Sequence, residues 1–180
     1  LTARFAYSHD ADGGNVNDKA AGGASGELGS GWDLTLEASS DLTGIDGLTL
    51  YAGMSEYEQY QNSGSHNGDG SERTYGVKYA TGGFTVGYQV SDEETGETSI
   101  TGYDNTYYSV TFSVNDDLSI GYNHVESDQA GGTLDAEATS YQAAYTMGGA
   151  TFSIAEVDID NRNYAASDIN GTVVSMGLAF

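Results

Sequence analysis

Cysteine is absent from the chain, so neither a disulfide framework nor a thiol nucleophile is available to it. Proline is absent as well, and tryptophan occurs once. Basic residues are scarce: five Lys and Arg stand against 27 Asp and Glu, for a formal net charge of -22. A surface of that sign repels polyanions, which excludes nucleic acid as a partner. No apolar run reaches the roughly 18 residues that a transmembrane helix needs, and no charged-then-apolar leader precedes the first alternating segment. Leu1 begins directly inside that segment, so the expectation is a chain that has been processed or that lacks its beginning.

High charge with only 38% hydrophobic residues is a composition that disordered chains share. The distribution says otherwise. Acidic residues, Gly and Asn cluster in patches, while the Tyr, Val, Leu and Phe recur between them in short alternating runs. Period-two alternation predicts about ten strands, at residues 1–10, 31–40, 48–57, 73–81, 84–92, 106–114, 118–125, 139–147, 151–157 and 172–180. Most are near the roughly 9–11 residues that a tilted strand needs to cross a hydrocarbon layer.

The connections alternate in length. Residues 41–47, 82–83, 115–117 and 148–150 are short turns, whereas 11–30, 61–72, 93–105, 126–138 and 158–171 are longer and rich in Gly, Asp, Asn and Glu. Membrane barrels have short periplasmic turns and long outer loops; soluble meanders need no such alternation. The expected fold class is therefore all-β, an antiparallel transmembrane β-barrel in one domain spanning residues 1–180.

One face of each strand is apolar, as in Phe84, Val86, Tyr88, Val90 and Tyr108, Val110, Phe112, Val114. The other carries Thr, Ser, Gly, Gln and a few charges. Aromatic rings gather towards strand ends, with Tyr7, Trp32, Tyr108, Tyr122 and Tyr141 above and Tyr79, Phe84, Tyr145, Phe152 and Phe180 below. Amphipathic rings form two such girdles at the two membrane–water boundaries. Glu56, His124 and Glu156 share the apolar parity, so they must stand above the membrane or follow a bulge. Tyr51 and Tyr57 break the pattern of the third strand by pointing to the polar side.

The closing segment alternates Val174, Met176, Leu178 and Phe180 with Ser175, Gly177 and Ala179. With this tail and the strand pattern over the whole chain, the sequence resembles a general diffusion porin of Gram-negative outer membranes, the trimeric kind with about sixteen strands. In that family the alternating tail ending in Phe is read by the barrel-assembly machinery, so the resemblance makes Val174, Met176, Leu178 and Phe180 an expected assembly signal. It also implies a cell-outer-membrane location, contact with membrane lipid and lipopolysaccharide, passage of small hydrophilic solutes, and a homotrimer. Ten strands are too few for the family. The inward residues are mostly small, which would leave a ten-stranded lumen poorly filled, so a C-terminal part of a wider barrel is expected.

Arg4 and Lys78 fall on the inward face, as do Asp33, Glu37 and Gln89; these five are the expected pore lining. Two readings of Arg4 stand together: one side of a transverse field across the pore, and a cross-strand pair with Glu37 that holds register. Acidic mouths predict weak cation selectivity. Asp158-Ile-Asp160-Asn161, Asp10-Ala-Asp12 and Asp92-Glu93-Glu94 offer oxygens to Ca²⁺, but none has the spacing of a full calcium loop, and no cofactor is otherwise expected. His9, His66 and His124 are scattered among strand tips and a loop, with no aligned nucleophile and carboxylate, so the expectation is a protein that is not an enzyme. A non-conducting barrel serving as an adhesin, structural protein or phage receptor is the alternative, and a soluble sandwich with Ca²⁺-stabilised loops the third reading.

Overall fold

The computed structural model describes residues 1–9, 28–59 and 69–178. Phe180, Lys19, His66, Asp10-Ala-Asp12 and most of the first two long loops lie outside the described residues. The alternating runs form ten strands: β1 (Thr2–Ser8), β2 (Leu28–Ala38), β3 (Leu48–Gln59), β4 (Gly70–Thr81), β5 (Phe84–Glu94), β6 (Gly102–Ser113), β7 (Leu118–Gln129), β8 (Ala136–Met147), β9 (Ala150–Asp160) and β10 (Ile169–Leu178). Each pairs antiparallel with its neighbours in chain order, giving one ten-stranded sheet. Among the described residues β1 and β10 pair only with β2 and β9, so the sheet is open. The fold is an antiparallel barrel-type sheet that does not close on its own ten strands, as a part of a wider barrel would be.

Two hairpins show why the short turns are short. Gly82-Gly83 joins β4 to β5 with φ of 55° and 85°, and Gly148-Gly149 joins β8 to β9 with 57° and 88°. Two consecutive positive φ values make a turn whose twist matches that of the flanking strands, and Gly reaches them without a Cβ penalty. Of the other two short turns, the one between β2 and β3 contains one helical turn, α1 (Ser40–Thr43), closed by Gly44 at φ 70°.

The strands outrun the apolar alternation at their outer ends. β4 begins at Gly70 and β6 at Gly102, β7 continues to Gln129, β8 begins at Ala136, and β9 continues to Asp160. The expected loops 93–105, 126–138 and 158–171 accordingly shrink to 95–101, 130–135 and 161–168. Ladder hydrogen bonds do not depend on side-chain polarity. Once both faces are polar, alternation loses its contrast while the backbone pairing goes on.

No apolar side chain among the described residues is buried. Phe5 is 67% exposed, Val174 73% and Met176 59%, all on the same face of the sheet. A soluble sandwich would press these rows against a second sheet. Here one continuous apolar face is left uncovered by the described residues, the kind of surface that lipid covers in a membrane barrel.

The aromatic rows lie where alternation put them. Tyr108 and Tyr122 have ring centroids 6.0 Å apart, and Tyr122 and Tyr141 5.1 Å, along one upper row. Phe84 stacks on Phe112 at 4.3 Å in a lower one, with Tyr145 opposite Phe152 nearby. Tyr7 faces Trp32 across β1 and β2, and Tyr79 faces Val86 across β4 and β5. The three polar exceptions need no bulge, because register runs unbroken through each of them. His124 joins the upper row, stacked on Tyr108 at 4.7 Å and 3.0 Å from the Thr139 hydroxyl. Glu156 lies opposite Tyr141 and accepts the Thr172 hydroxyl at 2.6 Å. Glu56 faces Trp32 and Ser71 at the upper ends of β2, β3 and β4.

Candidate functional site: the polar wall

Register resolves the polar face into rows. One runs Glu37, Tyr51, Gly76, Gln89, Tyr107 across β2 to β6. The next row outward is Thr35, Gly53, Thr74, Ser91, Asn105, and the one beyond it Asp33, Ser55, Glu72, Glu93, Tyr103. All five residues expected to line a pore are on this face.

The two misfit tyrosines of β3 have a reason. A Cβ built on Gly76 would fall inside the Tyr51 ring, and one built on Gly70 inside the Tyr57 ring. Each ring extends over the glycine directly opposite it on β4. The missing Cβ admits the ring, and the ring covers backbone that glycine would otherwise leave bare. From that position the Tyr51 hydroxyl reaches beyond β4 and donates to Gln89 Oε1 on β5 at 2.8 Å.

Between these two covered glycines the wall is low. Gly53, Thr74 and Ser91 form the floor of a concavity of about 470 Å³, bounded by Asp33, Glu72, Glu93 and Tyr107, with Met54, Arg73 and Asp92 also contributing to its lining. Ser55 donates to Glu72 Oε2 at 3.1 Å, and Thr74 to the Val90 carbonyl at 3.3 Å. Glu72 and Glu93 are direct cross-strand partners, a like-charge pairing that costs stability. These strand tips stand above the apolar band, which on β5 ends at Val90. There burial, and secondly the facing Glu72, raise the Glu93 carboxyl above its ordinary pKa.

The expected basic wall takes a different form. Arg4 stands opposite Thr35 rather than Glu37, which itself faces Thr2. Among the described residues no ion pair joins Arg4 to Glu37, whereas Arg73 pairs with Asp92 at 3.7 Å. Arg73 and Asp92 have the parity of the apolar face and sit above its aromatic rows. Lys78 faces Thr49 and Gly87, below the concavity. The structure thus gathers Asp33 and Gln89 at one place and leaves Arg4, Lys78 and Glu37 on its margins.

Glu72, Glu93, Tyr51 and Tyr107 escaped the sequence reading as lining residues. Hydrophobic alternation places Glu72 and Glu93 in loops, although stepping back by twos from Lys78 through Gly76 and Thr74 reaches Glu72. Asp92, Glu93 and Glu94 are consecutive on β5 and alternate in face, so they do not aim their oxygens at one point. Among the described residues no three His, Asp or Glu side chains form a metal-binding group.

One loop folds onto the same face. The β9–β10 connection carries a 3₁₀ turn at Arg162–Tyr164, with Asn161, Asn163 and Tyr164 all at positive φ. Ser127 donates to Asn105 Oδ1 at 2.6 Å, so at the 2.8 Å contact with Tyr164 it is the tyrosine that donates. The Tyr164 ring also lies 5.6 Å from that of Tyr103, and Asn161 Nδ2 donates to the Asp135 carbonyl at 3.0 Å. A tyrosine in the left-handed region costs about 1–3 kcal/mol and persists only where surrounding contacts hold it.

On the outward side, Val174, Met176 and Leu178 stand opposite Ile154, Phe152 and Ala150 on the edge strand β10.

No protein-family model matches the chain, and no curated protein does. Among solved structures it is similar to the outer-membrane expressed OmpT of Vibrio cholerae, with 16% identity and a TM-score of 0.59. The match covers 85% of this chain and 56% of that one, so the chain spans little more than half of the protein it matches. At that identity the likeness shows the fold alone: an outer-membrane β-barrel sheet. It also corrects the expectation that the protein is not an enzyme. That exclusion rested on a sparse set of histidines, and the shared fold does not support it, because one fold hosts catalytic and non-catalytic proteins alike.

Proposed function

We propose that the chain is part of the wall of a water-filled outer-membrane channel through which small hydrophilic solutes and ions diffuse passively. The observation that carries this reading is the size of the side chains on the polar face. Thr85, Gly87, Ser109, Thr111, Gly121 and Ser153 occupy it through the middle of the sheet. A sealed barrel fills its interior with bulky side chains, whereas these leave room for water. The proposal places the strands in a porin barrel of about sixteen, assembled as a homotrimer in contact with lipid and lipopolysaccharide. The carboxylates of the wall favour weak cation selectivity.

Planar-bilayer recording on the full-length gene product tests it. Discrete conductance steps are expected, with a reversal potential in a salt gradient that reports a modest cation preference. A folded, membrane-inserted protein without steps would overturn the channel, and a reversal potential of anionic sign would overturn the selectivity.

A further inference from the structure

Resting on the channel reading, we propose that the concavity on the polar wall is a subsite for a small polyhydroxylated solute carrying one protonated amine, the chemistry of an amino sugar. Its acidic side is built from three strands. Asp33 on β2, Glu72 on β4 and Glu93 on β5 share one row, and among the described residues the Asp33 and Glu93 side chains make no hydrogen bond or ion pair. Of the lumen cations, Arg4 stands opposite Thr35 in the floor row, one row below Asp33 at the β2 edge of the site, and Lys78 lies three rows below Glu72 on β4. Arg73, adjacent in sequence to Glu72, contributes to the lining but is paired with Asp92 at 3.7 Å. The directly opposed Glu72 and Glu93 repel each other, and a bound ammonium would offset that repulsion.

The floor supplies a second kind of recognition. Ser91 lies between Thr74 and Asn105, and Gln89 spends its Oε1 on Tyr51, which leaves its amide N–H groups to donate. Asn105 likewise accepts from Ser127 and keeps its amide N–H groups. Hydroxyls of a polyol can accept from these groups and donate to the carboxylates. Tyr107 contributes an aromatic side chain to the lining, while Tyr51 and Tyr57 stand on the rows below and above it along β3. A cavity of about 470 Å³ falls within the range of small-molecule sites. A bare metal ion would use only the carboxylates; a neutral sugar would leave them unpaired.

The experiment is titration calorimetry of the full-length protein in detergent micelles with glucosamine, glucose and ethylammonium as separate probes. Binding of glucosamine is expected, with glucose and ethylammonium each weaker by about tenfold or more. E72Q/E93Q and, independently, D33N are expected to weaken glucosamine by a similar factor while keeping heat-modifiable migration, which shows that the barrel still folds. Equal binding of glucose would overturn the role of the carboxylates, and equal binding of ethylammonium that of the floor. No heat with glucosamine would overturn the subsite. Bilayer conductance is recorded on the same preparation. A conducting protein that ignores glucosamine loses the subsite and keeps the channel, while a silent protein that binds it loses the channel alone.

Discussion

Replacing Gly76 by Ala tests whether the Tyr51 ring lies on the wall. The backbone at Gly76 is ordinary strand, so alanine meets no conformational barrier there, but its Cβ would occupy the space of the ring. The ring is the far end of a flexible side chain and must swing away, taking its hydroxyl from Gln89. Losing that half-buried hydrogen bond costs about 0.5–1.5 kcal/mol. Against this, Gly→Ala at a compatible position gains about 0.4–1 kcal/mol through the unfolded chain. The net change in stability should therefore be small, and the informative quantity is the coupling. In a Tyr51→Ala background the same Gly76→Ala change meets no ring, so it should become stabilising. The double-mutant cycle should show a coupling energy of about 1 kcal/mol, the size found for residues in contact. Urea unfolding followed by band shift in micelles measures it. Additivity within about 0.3 kcal/mol would refute the stacked geometry. Conductance gives a second readout: a displaced Tyr51 projects into the pore, so Gly76→Ala alone should lower the step size.

The assignment of faces is tested by charge. Val110, opposite Val86 in the middle of the apolar band, should cost about 2–4 kcal/mol as Val110→Arg, while its neighbour Ser109→Arg on the polar face should fold normally in vesicles. Equal folding yields would contradict the orientation. Tyr164→Phe removes the hydroxyl that donates to Ser127, at about 1 kcal/mol. Hydrogen exchange across 161–168 should then speed up; unchanged protection would mean that this hydroxyl does not hold the loop. Glucosamine affinity should fall as pH drops. Glu93, faced by Tyr57, Glu72 and Tyr103 from β3, β4 and β6, has a raised carboxyl pKa and takes up its proton before an ordinary Glu does. The decline should begin above the ordinary carboxylate range and shift downward in E72Q; an affinity flat down to pH 4 would count against a charged Glu93 at the site.

Much of the fold was legible because one physical rule generates it. A strand with lipid on one side and water on the other must alternate, so the runs 84–92 and 106–114 announced both strands and their faces. The same rule stopped short where water lies on both sides. Glu72, Glu93, Tyr103 and Ser127 belong to outer strand extensions that no hydrophobic contrast marks, and their places follow from ladder pairing. The site was less visible than the fold for a related reason. Asp33 and Gln89 could be placed on a face by parity, but parity says nothing about which residues of distant strands share a row. Arg4 shows the cost: two residues of register separate the pairing with Glu37 from the observed neighbour, Thr35.

Alternation, turn glycines and charge thus determined from sequence alone that the chain is all-β, antiparallel and two-faced, since these depend on each residue and its immediate neighbours. Tertiary structure decided the rest: that the ten described strands stay open at β1 and β10, that Tyr51 and Tyr57 lie over Gly76 and Gly70, and that three carboxylates share one row beside a floor of small residues. Those facts depend on register between segments far apart in the chain, a quantity summed over whole ladders of backbone hydrogen bonds and written in no single stretch of residues.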